Sequence, residues 1–284
     1  MIETIEKNTH LDIYFAAVGD VHGHIYKMLG LLQKWEAKHQ QKLDFVLQVG
    51  DFEPHRHEED LVTMDAPTKY KKLGDFANFY HNQARFTYPL YFIGGNHEPY
   101  GFLDYFPQGQ EIAPNFNYLG RVNQIKVCDL KIVGVSGIYK PELFSYRPSI
   151  KAIKSYSNKK YIGFTEVEIE QALNYQDTDI LIMHEWATDI LKKEDLDKLQ
   201  QRYSNARYEQ IGNEYARLLI EALQPKLVLF GHMHLKYRSS MQVASDKIGN
   251  ICCLANVQQG QDALAVFKKT SQGKIIEVTE QNIE

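Results

Sequence analysis

A layered α/β fold is the class this sequence predicts, and two observations carry it. Apolar segments rich in β-branched and aromatic residues stop at a glycine beside a polar residue, and between them run stretches whose apolar positions recur at helical spacing. Strands alternating with helices over 284 residues must bury the apolar stripe of each helix on a sheet, which is what layers do. A third observation refines the class. A later group of strand-like stretches has short connections, so a mixed or partly antiparallel sheet is expected.

The first strands fall at residues 12–18 before Gly19, 44–49 before Gly50, and 88–93 before Gly94. Residues 179–183 then run into His184 and 226–230 into Gly231. Helical spacing appears at Met28, Leu29, Leu32 and Trp35, at Leu73, Phe76, Ala77 and Tyr80, and at Tyr215, Leu218, Leu219 and Ala222. The short-connected group covers 121–127, 131–135, 248–255, 263–268 and 273–278. With no repeat and no Pro/Ser-rich linker, one domain over 1–284 is the simpler reading, with a long loop at 139–164 where periodicity fails.

Composition narrows the function classes. The longest apolar runs, 180–183 and 227–230, fall far short of the roughly 20 residues a membrane-spanning helix needs. The first dozen residues lack both the signal-peptide and the transit-peptide pattern, so a cytoplasmic address is expected. Cys128, Cys252 and Cys253 make an odd count, and the adjacent pair would face opposite sides of a strand; they read as small buried hydrophobes. A net charge of −4 argues against nucleic-acid binding by the whole surface.

The loop is different. It holds Lys140, Arg147, Lys151, Lys154, Lys159 and Lys160 against the single acid Glu142, interleaved with Tyr139, Phe144, Tyr146, Tyr156, Tyr161 and Phe164. Basic plus aromatic residues suit phosphate contacts and stacking on unpaired bases. The same composition also describes a solvated loop with its rings tucked into the core.

Five clusters of metal-type residues stand at the predicted strand ends: Gly19-Asp20-Val21-His22-Gly23, Gly50-Asp51-Phe52-Glu53, Gly94-Gly95-Asn96-His97-Glu98, Met183-His184-Glu185 and Gly231-His232-Met233-His234. In an open α/β sheet the carboxyl ends of strands border the ligand crevice, so such clusters can converge. Asp20 with His22, and His232 with His234, are spaced so that each pair projects to one side of an extended chain and can chelate. Carboxylate, imidazole and amide oxygen together suit Mn, Fe, Zn or Co better than Ca or Mg alone. Any one of these histidines alone would more often be structural.

The clusters resemble the signature of calcineurin-like metallophosphoesterases, D-x-H, G-D, G-N-H-[DE], H and G-H-x-H in this order. The resemblance implies an α-β-β-α sandwich of two mixed sheets with flanking helices, the metallo-dependent phosphatase-like fold. It implies that Asp20, His22, Asp51 and His234 hold one metal and that Asp51, Asn96, His184 and His232 hold the other, with Asp51 and a hydroxide bridging. Two divalent ions about 3.5–4 Å apart would activate water and clamp an in-line displacement, which makes the chain a dinuclear phosphoesterase using Mn, Fe or Zn. His97 would not ligate; it would act on the transferring phosphoryl or protonate the leaving oxygen.

From Gly50 to Tyr139 the sequence is further similar to the catalytic domain of RNA lariat debranching enzymes. The matching residues are Gly50-Asp51-Phe52, Arg56, Asp60-Leu61, Pro67 to Tyr70, Ile93 to Glu98, Ala113 to Gly120 and Gly134 to Lys140, followed by His184-Glu185-Trp186 and His232 to Lys236. That resemblance implies phosphodiester cleavage in single-stranded or branched RNA or a nucleotide, 2′,5′ linkages included. Debranching enzymes usually have cysteine where Asp20 stands, so metal preference is expected to differ, and the 137–163 region has largely different residues.

Arg56, Glu98, Lys140, Tyr146 and Arg147 are the candidate substrate-binding residues. Glu98 also reads as an orienting partner for His97 or as a helix-start acid. His24, His55 and His57 flank the motifs, and Tyr100, Trp186 and Tyr237 are candidates for lining the cleft. Two rival functions remain: a phosphatase or diesterase for a small soluble phosphoester or a phosphoprotein, and a non-catalytic metal-binding scaffold. The scaffold is disfavoured because every ligand position is intact.

Overall fold

Alternation decides which way each strand faces. In β1 (Ile13–Val18), Ile13, Phe15 and Ala17 enter one apolar cluster while Ala16 and Val18 enter another. β8 (Ile180–Met183) and β9 (Leu227–Phe230) divide likewise: Ile180, Ile182, Leu227 and Leu229 join the cluster of Phe15, and Leu181, Met183, Val228 and Phe230 join a third. Three apolar layers therefore separate four structural ones. The computed structural model describes residues 12–155, 157–201 and 203–279; the N-terminal stretch read for targeting patterns, up to residue 11, and Tyr156 lie outside the described residues.

The first sheet joins β1 in parallel to β2 (Phe45–Gln48), β2 to β3 (Leu90–Phe92) and β3 to β5 (Phe116–Tyr118). β4 (Gln110–Ala113) lies antiparallel at one edge, and β12 (Leu264–Lys269) and β13 (Ile275–Glu277) continue antiparallel beyond β1. The second sheet runs β10 (Tyr237–Ala244), β11 (Lys247–Cys253), β9, β8, β7 (Leu130–Val135), β6 (Val122–Val127). It is parallel through its middle and antiparallel at both ends. The expected sandwich of two mixed sheets is present.

Helices cover the outer faces. Ile25–His39 lays Ile25, Met28, Leu32 and Trp35 on the first sheet, a 3–4 spacing that makes one stripe. Glu214–Leu223 covers the second sheet and is capped by Asn213, whose side chain accepts from Ala216 N at 2.8 Å. A further helix, Glu166–Leu173, was not expected from apolar spacing; Thr165 and Glu168 close it with a capping box. No helix among the described residues is long and apolar enough to cross a membrane. Cys128, Cys252 and Cys253 are buried, as expected, and none is in a disulfide among the described residues.

The 139–164 stretch is more ordered than a bare loop. It contains the short helix Pro141–Phe144 and 3₁₀ turns at Ile150–Ser155 and Asn158–Lys160. Tyr161 and Phe164 are fully buried, and Tyr139 and Phe144 pack on Tyr215 with ring centroids 4.9 and 4.1 Å away. Tyr146 is exposed.

Candidate metal centre

β1, β2, β3 and β9 each end at a glycine that opens the ligand turn, while β8 runs directly into His184. Gly50 has φ +98° and a Cβ there would stand 2.6 Å from the His184 ring, while a Cβ at Gly95 would stand 2.2 Å from Asp51 Oδ1; the first would push on the imidazole and the second on the acid. His22, Asp51, Glu53, His232 and His234 all adopt positive φ, a region non-glycine residues seldom enter. Such strain is held only where neighbours over-determine it.

These turns bring four residues together: one ligand atom from each of Asp20, His22, Asp51 and His234 lies within 4.8 Å of the others. His234 Nε2 is 2.8 Å from Asp20 Oδ2, and His22 Nε2 is 3.9 Å from Asp20 Oδ2 and 4.0 Å from Asp51 Oδ2. On the other side of Asp51, the same Oδ2 lies 3.3 Å from His184 Nε2, which is also 3.3 Å from Asn96 Oδ1. The His232 ring packs edge-on to His184 at 5.0 Å, and its backbone N–H donates to Asp20 Oδ1. Asp51 thus stands between two donor sets. All seven residues expected to ligate are gathered in one place.

Proton bookkeeping tests whether this place fits a cation. His184 Nδ1 lies 2.8 Å from the carbonyl of Val49, which can only accept, so Nδ1 carries a proton and, in the neutral ring, Nε2 carries a lone pair. That lone pair faces Asp51 Oδ2 and Asn96 Oδ1, which are also acceptors. Only a cation completes such a set: a metal ion, or in its absence a second proton on the ring, which is why, against the effect of burial, the acids raise His184. His22 repeats the arrangement, with Nδ1 2.8 Å from Glu53 Oε1 and Nε2 turned toward Asp20 and Asp51.

Charge tells the same story. Burial alone would lower His22 and His184, but Glu53, Asp51 and Asp20 outweigh it and raise them to about 10 and about 9. His232, buried beside His184, is pushed down to about 4. Burial opposes ionisation of Asp20 and Asp51 too, yet the surrounding histidines hold both below the ordinary carboxylate value. The pocket attracts positive charge.

His97 sits at the rim, its ring 5.7 Å from that of His22. Its backbone N–H donates to Asp51 Oδ1 at 2.8 Å, and its Nδ1 donates to Asp65 O at 3.0 Å, leaving Nε2 without a hydrogen-bond partner among the described residues.

Around the ligands, several of the expected substrate-binding residues make contacts within the protein itself. Glu98 touches neither His97 nor solvent: it is fully buried, and its carboxylate accepts from the backbone of Phe52, Glu53 and Gly95. Arg147 is committed to a two-pronged pair with Glu168 and to Gly163 O, so its fork is spent on the fold. Arg56 pairs with Asp60 and lies 3.7 Å over the Phe102 ring. Lys140 is half-buried, its charge acting on Glu185 beside His184. Tyr100, Trp186, Tyr237 and His55 are packing residues, all buried. Two partners were missed: Glu53, inside a quoted cluster, and Asn256, whose amide lies 3.1 Å from His234 Nδ1 with no motif around it.

The sequence pattern of the calcineurin-like phosphoesterase family matches residues 13–236, which spans every ligand turn described above. The chain belongs to that family. Among curated proteins, the lariat debranching enzyme of Entamoeba histolytica is similar at 31% identity over 80% of this chain and 65% of its own length. That of Arabidopsis thaliana is 28% identical over 93% of this chain and 65% of its own, and that of Homo sapiens 30% over 82% and 44%. The chain thus spans two thirds or less of these relatives. Family membership and the acceptor-only geometry both call for divalent metal.

Proposed function

We propose that this chain is a divalent-metal-dependent phosphodiesterase acting on RNA or a nucleotide, with the 2′,5′ linkage of lariat RNA as the substrate its relatives' name points to. One observation carries the reading: Asp51 Oδ2 stands between His22 Nε2 at 4.0 Å and His184 Nε2 at 3.3 Å, the position a bridging carboxylate would take. Asp20, His22, Asp51 and His234 would hold one ion, and Asp51, Asn96, His184 and His232 the other. Bound there, the ions supply an activated water and neutralise phosphoryl charge.

The chain's own residues do the rest. His22 and His184 are oriented by Glu53 and Val49 O before any ion arrives, so the rings need no turning and an ion has only to displace a proton at Nε2. His97, held at Nδ1 by Asp65 O, presents Nε2 as the nitrogen that hands a proton to the departing oxygen. Burial of Asp20, Asp51 and His184 limits competing water.

Chelated protein reloaded with Mn²⁺, Fe²⁺ or Zn²⁺ is assayed on bis-p-nitrophenyl phosphate, p-nitrophenyl phosphate, and 2′,5′- and 3′,5′-linked oligonucleotides. Diester cleavage with the 2′,5′ oligonucleotide preferred is expected. Monoester preference would favour a small-molecule phosphatase, and inertness with every metal would favour a scaffold.

A further inference from the structure

Between residues 62–66 with Lys71 on one side and residues 153–154 with 157–158 on the other lies a cavity of about 490 Å³ that the chemistry above leaves unused. It borders the proton donor. One wall includes Asp65, whose carbonyl is the anchor of His97 Nδ1. The opposite wall is fastened to the first by Asn158, whose amide donates to Val62 O at 2.6 Å and to Met64 O at 3.1 Å. Whatever fills the cavity therefore presses on the segment that aims His97.

The lining is basic. Lys71 and Lys154 line it, one from each segment, with one acid, Asp65, and neither lysine is in an ion pair among the described residues. Ser157 adds a hydroxyl. Two unneutralised ammonium groups and a hydroxyl around a cavity of this size suit an oxyanion, and a phosphate above all. Because His97 serves the departing oxygen, a cavity abutting its anchor lies on the leaving side of the substrate.

We propose that this cavity is the subsite for a phosphate carried by the departing nucleoside, with Lys71 and Lys154 as its cations and Asn158 as the positioning residue that ties the subsite to His97. The inference rests on the phosphodiesterase reading. It explains how the chain would distinguish a polynucleotide from a simple diester: only the former brings a second phosphate to this side of the scissile bond. The part of the basic segment that serves the substrate is then its 153–158 end, not Tyr146 and Arg147, which belong to a different cavity alongside Asp104 and Thr165.

The test uses two dinucleotides alike except for one phosphate on the departing nucleoside, with metal-loaded protein at fixed salt. The wild type should prefer the phosphorylated one by about tenfold in kcat/KM, mostly through KM, and lose that preference as salt screens the lysines. Lys71→Glu and Lys154→Glu should each cut the preference at least about threefold, and the double variant should abolish it. Both lysines reach solvent, so neither change opens the core; Lys71→Gln repeats the test without adding a negative charge. Asn158→Ala should lower kcat on both substrates by a common factor, because it loosens the anchor of His97. Cleavage of both dinucleotides without preference, or a preference intact in both charge-reversed variants, overturns the subsite alone. An inert wild type, also inert on bis-p-nitrophenyl phosphate, brings down the phosphodiesterase reading and the subsite with it.

Discussion

Replacing Glu98 with glutamine changes one atom and tests how the two catalytic turns are held together. Glu98 Oε1 accepts from Phe52 N at 2.8 Å and Gly95 N at 3.1 Å, while Oε2 accepts from Glu53 N at 2.9 Å. Phe52 and Glu53 follow Asp51, and Gly95 precedes Asn96, so the carboxylate clasps both turns. Glutamine keeps one acceptor and sets an NH₂ against at least one backbone N–H in a place with no access to water. An orphaned buried donor costs about 1–3 kcal/mol, and Glu98→Gln is expected to lose that much. Glu98→Ala, which orphans all three donors, should lose about 3 kcal/mol or more.

The pH dependence has a definite sign. Burial and the Asp51 charge raise the Glu98 carboxyl from 4.5 to about 8, against the pull of its three backbone donors. A raised acid contributes stability fully below its unfolded value near 4.5 and loses it as pH rises through about 8. In urea unfolding of the metal-free protein, the deficit of the glutamine variant should therefore be largest near the acid end of that window and shrink toward its alkaline end. A deficit below about 0.5 kcal/mol throughout, or one that widens with pH, would refute the clasp.

Other outcomes can be checked separately. His97→Ala should cut turnover by about 10²–10⁴-fold while metal analysis still finds the ions bound; lost metal would contradict its role. Gly231→Ala would put a methyl 2.3 Å from Asp20 Oδ1, and calorimetric titration with Mn²⁺ should show affinity weakened by about tenfold or more. For Arg147→Ala, a loss of about 3 kcal/mol is expected because Glu168 is left buried without its partner. Burial raises the Glu168 carboxyl, but the Arg147 fork outweighs it and holds it below 4.5, so the pair's contribution is present above 4.5 and fades on acidification. The acid branch of the wild-type stability curve should flatten in that variant.

Much of the centre was legible because its residues sit where strands stop, and a glycine beside a polar residue advertises a stopping strand. Asp20, His22, Asp51, Asn96, His232 and His234 were placed by that signal, and His184 by the end of an apolar run alone. The supporting contacts were not. Glu98 reads as an exposed helix-start acid because sequence cannot reveal that three backbone donors converge on it. Asn256 follows β11 without any motif. β10 alternates buried and exposed positions and lacks the glycine stop, and β4 and β5 are too short for periodicity to register. The helix Glu166–Leu173 was announced only by Thr165 and Glu168, a cap signal that apolar spacing overlooks. The basic segment misled through composition: its rings count as stacking surfaces or as core, and only packing on Tyr215 decides between them.

The two sheets divide the ligands between them. Asp20, His22, Asp51 and Asn96 ride on the first, and His184, His232 and His234 on the second. What sets the gap between these jaws is a hydrocarbon spacer, in which Phe15 stacks on Phe45 at 5.0 Å and Tyr91, Ile182 and Leu229 fill the remainder. Close-packed interiors transmit displacement rather than absorb it. Trimming a ring from that spacer, far from any polar atom of the centre, would alter the bite of the jaws and so the choice of ion they grip.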